Sequence, residues 1–440
     1  MNIRHWLSTI VFCFLNQLVL AQSLPKPLTD DAFLPVSLEA AKLGQLLFYD
    51  KILSGNKNIA CATCHHPDFG SSDGLSLGIG EGGDGIGAMR SFGSGHLKAE
   101  RRVPRNAPAL WNIGAREFTH LFHDGRVSRD TLFASGFNSP AEEFLPIGLT
   151  DLVAVQAMFP LASDVEMAGD KNENEMPGAV RRRIDYGWQI MVQRIVSFPE
   201  YVDLFIDAFD DVEQSSDITM VHIANAISAF ERFEFRADES PFDDYLRGDT
   251  AALNEEQKKG MALFYGSANC AICHAGALQT DHDFHNIALP FLGPGRTRQF
   301  DYKARDMGRI NETDLAEDAY KFRTPSLRNV TETGPYGHNG AYNSLAEIVM
   351  HHTDPKTYFK NYRLDLATLP KAEHIRPDDI LWHDKQEQQR LFSTVTNIPV
   401  TVNPSDMPFI MAFLKALTDK ESLRGRLGVP ERVPSGLKVD

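Results

Sequence analysis

Cys61-Ala62-Thr63-Cys64-His65 and Cys270-Ala271-Ile272-Cys273-His274 decide how this chain is read. Each is a C-x-x-C-H, the pattern of covalent c-type haem attachment. The two thiols form thioethers to the former vinyl groups, and the adjacent His is carried under the ring as proximal iron ligand. Of the five Cys in the chain, Cys13 stands in an N-terminal apolar run and the other four are used by the two motifs. Two other readings exist: a redox disulfide in each C-x-x-C pair and a zinc site shared by both pairs. The disulfide leaves two trailing His unexplained. The gap of roughly 200 residues between the pairs exceeds zinc-ribbon spacing.

Outward from the motifs, the same landmarks recur in the same order. Lys42-Leu-Gly-Gln-Leu-Leu-Phe-Tyr49 precedes the first motif and Lys258-Lys-Gly-Met-Ala-Leu-Phe-Tyr265 the second, both K-x-G-x-x-L-F-Y. Pro108-Ala-Leu-Trp-Asn112 and His123-Asp-Gly125 follow the first, as Pro325-Ser-Leu-Arg-Asn329 and His338-Asn-Gly340 follow the second. This predicts a mainly α fold of two cytochrome c-like haem domains related by internal duplication. The expected boundaries are 22–236 and 237–440, with the join near Ala237 to Thr250, where Asp, Ser, Pro and Gly cluster. Amphipathic helices are predicted over Leu38 to Tyr49 and over Asn254 to Tyr265, the latter capped by Asn254. Met220, Ile223, Ala224, Ile227 and Phe230 follow helical spacing, and Ser405 before Phe409 to Leu417 predicts a closing helix. Between Phe69 and Pro108, Gly and Pro predict a loop wrapped around the first haem.

Two motifs fail on context. Gly78-Ile-Gly-Glu-Gly-Gly83 matches G-x-G-x-x-G without a preceding strand or following helix. Asp170-Lys-Asn-Glu-Asn174 begins like a calcium loop but has Glu175 and Arg181 where Gly and Glu are required.

Composition sets the class. The chain has 440 residues, is 42% hydrophobic and 23% charged, and carries a formal charge of -15, an ordinary globular profile. That charge argues against a nucleic-acid partner, which needs clustered Lys and Arg. Residues 1–21 read as a secretory signal peptide, with Arg4, an apolar run Trp6 to Leu20 and small residues before Gln22. No later stretch is long and apolar enough to span a bilayer. The expected product is a periplasmic protein without stable membrane insertion.

The chain resembles the bacterial di-haem cytochrome c peroxidase and MauG-like family along nearly its whole mature length. The resemblance is carried by both C-x-x-C-H motifs, Gly70-Ser-Ser-Asp-Gly74, Arg105-Asn-Ala-Pro108, His123-Asp-Gly-Arg126, Val165-Glu-Met167, Ser228-Ala-Phe-Glu-Arg232, Ser240 to Gly248 and Pro325 to Asn329. It implies a peroxide-reactive N-terminal haem, an electron-transfer C-terminal haem and one calcium ion between them. The family's catalytic carboxylate ends a segment P-x-x-x-x-x-E-M, which Pro160 to Met167 fits, so Glu166 is the acid/base candidate; Glu142 and Glu143 fit less well. The implied calcium ligands are Asn106, Thr333 and Pro335.

Three departures from the family bear on function. The place of the loop His that caps the first haem in the peroxidases holds Glu81, leaving His96 as another capping candidate. The distal ligand of the second haem, Met in peroxidases and Tyr in MauG, falls on His352, with Met350 and His351 beside it. The inter-haem Trp is replaced by His123, with Trp111 as an alternative electron route. Arg126 and Arg328 are candidates for haem propionates or structural ion pairs, and His66, His282, His285, His374 and His383 read as surface or loop residues.

These readings predict an enzyme with two covalent haem c groups, on Cys61, Cys64, Cys270 and Cys273, and with His65, His274 and His352 on iron. It reduces hydrogen peroxide with electrons from a small donor protein, a cytochrome c or a cupredoxin. The alternatives are a MauG-like enzyme oxidising Trp or Tyr of a partner protein, and a passive di-haem electron carrier.

Overall fold

The computed structural model describes residues 23–297, 301–303 and 305–440. The leader, with Cys13, lies outside the described residues. The helices that position the site are α1 (Leu38–Tyr49), α2 (Met220–Glu234), α3 (Pro241–Leu246), α4 (Glu255–Phe264), α5 (Leu345–His351), α6 (Lys385–Ser393) and α7 (Met407–Ala416).

Helix α1 starts where Ser37 Oγ accepts the Ala40 N–H at 3.2 Å, and it buries Leu43, Leu47, Phe48 and Tyr49 on one face. That face packs on α2. A Cβ added to Gly44 would stand 1.8 Å from the Ala226 carbonyl oxygen, so the two backbones touch there and no side chain fits. Helix α4 is built alike. Asn254 and Gln257 exchange side-chain and backbone hydrogen bonds at 2.9 Å, a capping box. Its Gly260 would carry a Cβ 1.8 Å from the Phe409 carbonyl oxygen of α7. The shared Gly of K-x-G-x-x-L-F-Y therefore permits close helix contact in both halves.

Two large apolar cores result among the described residues, beside two smaller clusters. Phe48, Phe230 and Phe235 pack with centroids 5.0 to 6.0 Å apart in the first. Phe242, Phe264 and Phe413 do so in the second, at 5.1 Å. Each such ring pair adds about 0.5–1.5 kcal/mol beyond its buried area. Strands are few and short. β1 (His120–Leu121), β2 (Val127–Arg129) and β3 (Phe137–Asn138) form an antiparallel sheet with His120 opposite Ser128 and Ser128 opposite Asn138. β4 (Phe284–His285) pairs with β5 (Phe322–Arg323).

Three local expectations change. The stretch Ala237 to Thr250 contains α3: Ser240 Oγ caps it through Asp243 N–H at 3.3 Å, and Pro241 takes the first helical position. Its turn-forming composition is thus a helix-start signal. The closing helix begins at Met407 after Asp406, and Ser405 is not its cap. Of the five His read as surface or loop residues, His374 and His383 are exposed, but His66 is buried, with its Nδ1 accepting Asp68 N–H at 3.2 Å. The wrap from 69 to 108 is indeed irregular, with only short turns at Pro67–Phe69, Gly87–Met89 and Gly95–Leu97.

Candidate functional site

The second motif forms a single turn, Cys270–Ile272, and His274 follows it. His274 Nδ1 lies 3.0 Å from the Gln279 carbonyl, which fixes the N–H on that nitrogen and leaves Nε2 as a bare lone pair. Burial pushes its pKa down to about 4, so the imidazole is neutral, as a metal requires. His352, at the end of α5, is held the same way: its Nδ1 is 2.7 Å from the Ile348 carbonyl. The two ring centroids stand 6.5 Å apart. That spacing accommodates one metal ion with a nitrogen bond of roughly 2 Å to each ring. His351 has both nitrogens engaged, by Tyr342 OH at 2.9 Å and the Ile287 carbonyl at 2.7 Å, so it has none to offer.

One cavity, called the second cavity after the second motif that opens onto it, is lined by Cys270, Cys273, His274 and His352 together with His123 and Arg323. Arg323 was not singled out from the sequence. Among the described residues its side chain hydrogen-bonds only to carbonyls, of Thr324 at 3.2 Å and Phe122 at 3.4 Å, and burial pulls its pKa down to about 10. A guanidinium so placed wants an anion. Nearby, Arg105, Arg126 and Arg296 converge on the Asp124 carboxylate and Arg309 donates to its main-chain carbonyl, with Asp306 and Glu312 as the remaining carboxylates. Among the described residues cations exceed carboxylates here, which suits the propionates of haem. A signal for Arg323 did exist: it precedes Pro325-Ser-Leu as Arg105 precedes Pro108-Ala-Leu. Arg328 instead is sealed against Asp243 at 2.5 Å with neither side chain exposed, a structural ion pair.

The first motif occupies one helical turn, Cys61–Cys64. His65 Nδ1 is 3.0 Å from the Ser71 carbonyl, the same ligand-orienting arrangement as at His274. The loop supplying that carbonyl is pinned from the R-N-A-P-A-L-W segment: Leu110 N–H donates to Ser71 Oγ at 2.9 Å, and Trp111 Nε1–H to the Gly70 carbonyl at 2.9 Å. Trp111 also lines the second cavity.

Glu166 lies in a five-residue turn, Asp164–Ala168, closed by the N–H groups of Met167 and Ala168 on the Ser163 carbonyl at 3.0 and 2.8 Å. Wide turns of this kind concentrate at functional sites. Its carboxylate is half-buried and, among the described residues, makes no hydrogen bond or ion pair. Its charge reaches Cys64 and Arg126. The Arg126 guanidinium carbon stands over the Phe122 ring, 3.4 Å from its centroid, and its Nη1 pairs with Asp124 at 3.1 Å. Behind Glu166, Gly80 packs so closely that a Cβ there would stand 2.0 Å from the Val165 carbonyl oxygen. Glu81 N–H donates to that carbonyl at 3.2 Å. Arg90, another residue the sequence did not single out, ties this loop by donating to the carbonyls of Ile79, Gly80 and Gly85.

The remaining candidates distribute as follows. Glu81 is buried and takes the Asn58 side-chain amide at 3.3 Å, and His96 is exposed on its turn. Glu142 and Glu143 are exposed. His123 Nε2–H donates to the Asn106 carbonyl at 3.1 Å, and burial beside Arg105 holds it neutral at about 4. Asn106, Thr333 and Pro335 share the wall of the second cavity. The Asn106 side-chain amide donates to the Leu75 carbonyl at 2.8 Å. No helix among the described residues is long and apolar enough to cross a membrane.

Comparison with known proteins agrees with this geometry. Residues 38–251 match the family model described as di-haem cytochrome c peroxidase. The chain is 27% identical over 380 residues to the methylamine utilization protein MauG of Methylorubrum extorquens, covering 86% of this chain and 85% of that protein. It is 30% identical over 330 residues to the cytochrome c551 peroxidase of Pseudomonas aeruginosa, covering 75% of this chain and 76% of that one. The fold matches the crystal structure of the diheme peroxidase BthA from Burkholderia thailandensis, with a TM-score of 0.58 at 20% identity over 96% of this chain and 95% of that one. Family membership implies two haem c groups, and the cysteines, ligand-oriented histidines and arginines described above fit them. The chain belongs to the di-haem cytochrome c peroxidase and MauG family and is an oxidoreductase of that type.

Proposed function

We propose that the protein is a periplasmic enzyme that reduces hydrogen peroxide at a haem held by Cys61, Cys64 and His65. A second haem, on Cys270, Cys273, His274 and His352, passes it electrons from a small donor protein, a cytochrome c or cupredoxin. The haems, when bound, supply the iron that takes peroxide and the electron storage between donor and substrate. Glu166 supplies the proton chemistry: its carboxylate takes a proton from one peroxide oxygen and returns it to the other, which leaves as water. The observation that carries this reading is half-buried Glu166, whose carboxylate has no partner among the described residues, on a turn braced by Gly80.

His123 stays neutral and fixes the Asn106 carbonyl from the wall of the second cavity, and its own carbonyl accepts the Arg323 N–H at 2.8 Å from the other half. Asn106, Thr333 and Pro335 are the proposed calcium ligands, hard oxygen donors suited to that ion. The paired Gly44 and Gly260 contacts support duplication of one haem unit, with the units divided as 22–236 and 237–440.

A second reading has its own support. The loop position that would cap the first haem carries Glu81, buried with one carboxylate oxygen accepting from Asn58, and the second haem has His352 in place of Met. Both favour a MauG-like enzyme that reacts in its fully ferric state and oxidises Trp or Tyr of a partner protein. Replacing Glu166 by Gln tests the shared step: peroxide consumption falls by roughly 10²–10⁴ with both haems retained. Unchanged consumption contradicts the assignment.

A further inference from the structure

Tyr320 lines the same cavity as His274 and His352, yet no step above uses it. It is 3% exposed, its backbone is held at φ +62, and its hydroxyl donates to Glu387. A bulky residue in the left-handed region is strained, and such residues cluster at functional positions. Glu387, on α6, has no exposed surface; Arg305 and Arg390 face it at 3.5 and 3.1 Å.

A second tyrosine, Tyr336, also lines the cavity, but it donates to the Val330 carbonyl, which cannot accept a proton outright. Tyr320 alone of the two has a carboxylate waiting. It packs with Phe291, which also lines the cavity, at 6.0 Å, in a cluster against which Trp382 also packs. Trp382 is partly exposed and donates its indole N–H to the Phe359 carbonyl at 3.3 Å.

We propose that Tyr320 and Glu387 form a proton-coupled relay that carries oxidising equivalents from the second haem cavity to the surface at Trp382. The inference rests on the peroxide reading for its physiological oxidant. Removing an electron from a buried phenol leaves a positive charge in a poorly solvating interior, which is prohibitive unless the proton departs with it. In the relay Tyr320 gives one electron to the oxidised haem centre, its O–H bond breaks, and the proton bonds to the Glu387 carboxylate. A neutral phenoxyl and a carboxylic acid result, so the pair loses its one negative charge and no cation is left in the interior. An electron from Trp382 restores the phenolate oxygen, the proton returns from Glu387, and an external one-electron donor reduces Trp382. Two such electrons and two solvent protons convert one peroxide to two waters.

The test is paramagnetic resonance on rapidly frozen holoprotein, with optical spectra of both haems. Two oxidants are used separately: hydrogen peroxide and hexachloroiridate, a one-electron oxidant that needs no peroxide chemistry. Wild type gives an organic radical signal that narrows when its tyrosines are ring-deuterated. Tyr320→Phe loses that signal with either oxidant, and Glu387→Gln forms it about a hundredfold more slowly; both retain the haem optical changes. A tyrosyl signal surviving in haem-replete Tyr320→Phe overturns the relay, as does its absence from wild type under hexachloroiridate. A Tyr320-dependent signal under hexachloroiridate, with no response to peroxide, upholds the relay and removes the peroxide reading instead.

Discussion

Gly80→Ala isolates the positioning of Glu166 from its chemistry. The added methyl would stand 2.0 Å from the Val165 carbonyl oxygen and 3.0 Å from Glu166 Cα, so the turn has to retreat by about 1 Å to reach tolerable contact. Gly80 is not among the residues with positive φ, so Ala meets no backbone penalty and the effect is steric. Overpacking of this kind costs about 1–3 kcal/mol, which a domain stable by about 5–15 kcal/mol survives. A displacement near 1 Å of a catalytic group costs on the order of 10²-fold in rate. Peroxide turnover should therefore fall about a hundredfold, with haem content by pyridine haemochrome unchanged. Gly178→Ala is the control, since its added methyl meets nothing within 4 Å. Full turnover by a folded, haem-replete Gly80→Ala protein refutes the claim that this contact sets the position of Glu166.

His352→Ala should convert the second haem from a low-spin spectrum with two imidazoles to one lacking a ligand, while His351→Ala leaves the ligand set unchanged in paramagnetic resonance. Glu231 is buried with one oxygen unpartnered, and burial raises its pKa from 4.5 to about 8. The folded state therefore holds an extra proton between those values, and stability falls as pH rises through that window, by at most about 5 kcal/mol. In chemical denaturation Glu231→Gln should flatten this decline; an unaltered slope contradicts it. Arg328→Ala leaves Asp243 buried and unpaired and should cost about 3–5 kcal/mol, whereas a loss under 1 kcal/mol would mean that water reaches the pair.

Much of this was legible from residue order. The C-x-x-C-H pairs and K-x-G-x-x-L-F-Y segments are local signals: turn, cap and apolar face all lie within a dozen residues, so α1 starts and ends as its periodicity predicts. His352 was within reach through the family resemblance, which puts the distal ligand fourteen residues after His338, just past the end of α5. What stayed hidden depends on distant contacts. Arg90 works through carbonyls of an irregular loop, and Arg323 through a cavity formed by both halves, so neither carries a periodic pattern. The helix over Pro241–Leu246 was obscured because Ser, Pro and Asp start helices and make turns alike. Glu387 meets Tyr320 only because α6 folds back across the second unit, a pairing no spacing rule reveals.

The central claim is peroxide reduction at the first haem with Glu166 as acid/base. Its most direct test is one equivalent of hydrogen peroxide added to purified holoprotein, ferric and half-reduced, followed by optical spectra and residual peroxide. The account predicts prompt peroxide loss with a shift of the haem bands in at least one of these states, and the loss of both in Glu166→Gln. Peroxide left unconsumed and haem bands unmoved in both states would contradict it and leave a passive electron carrier.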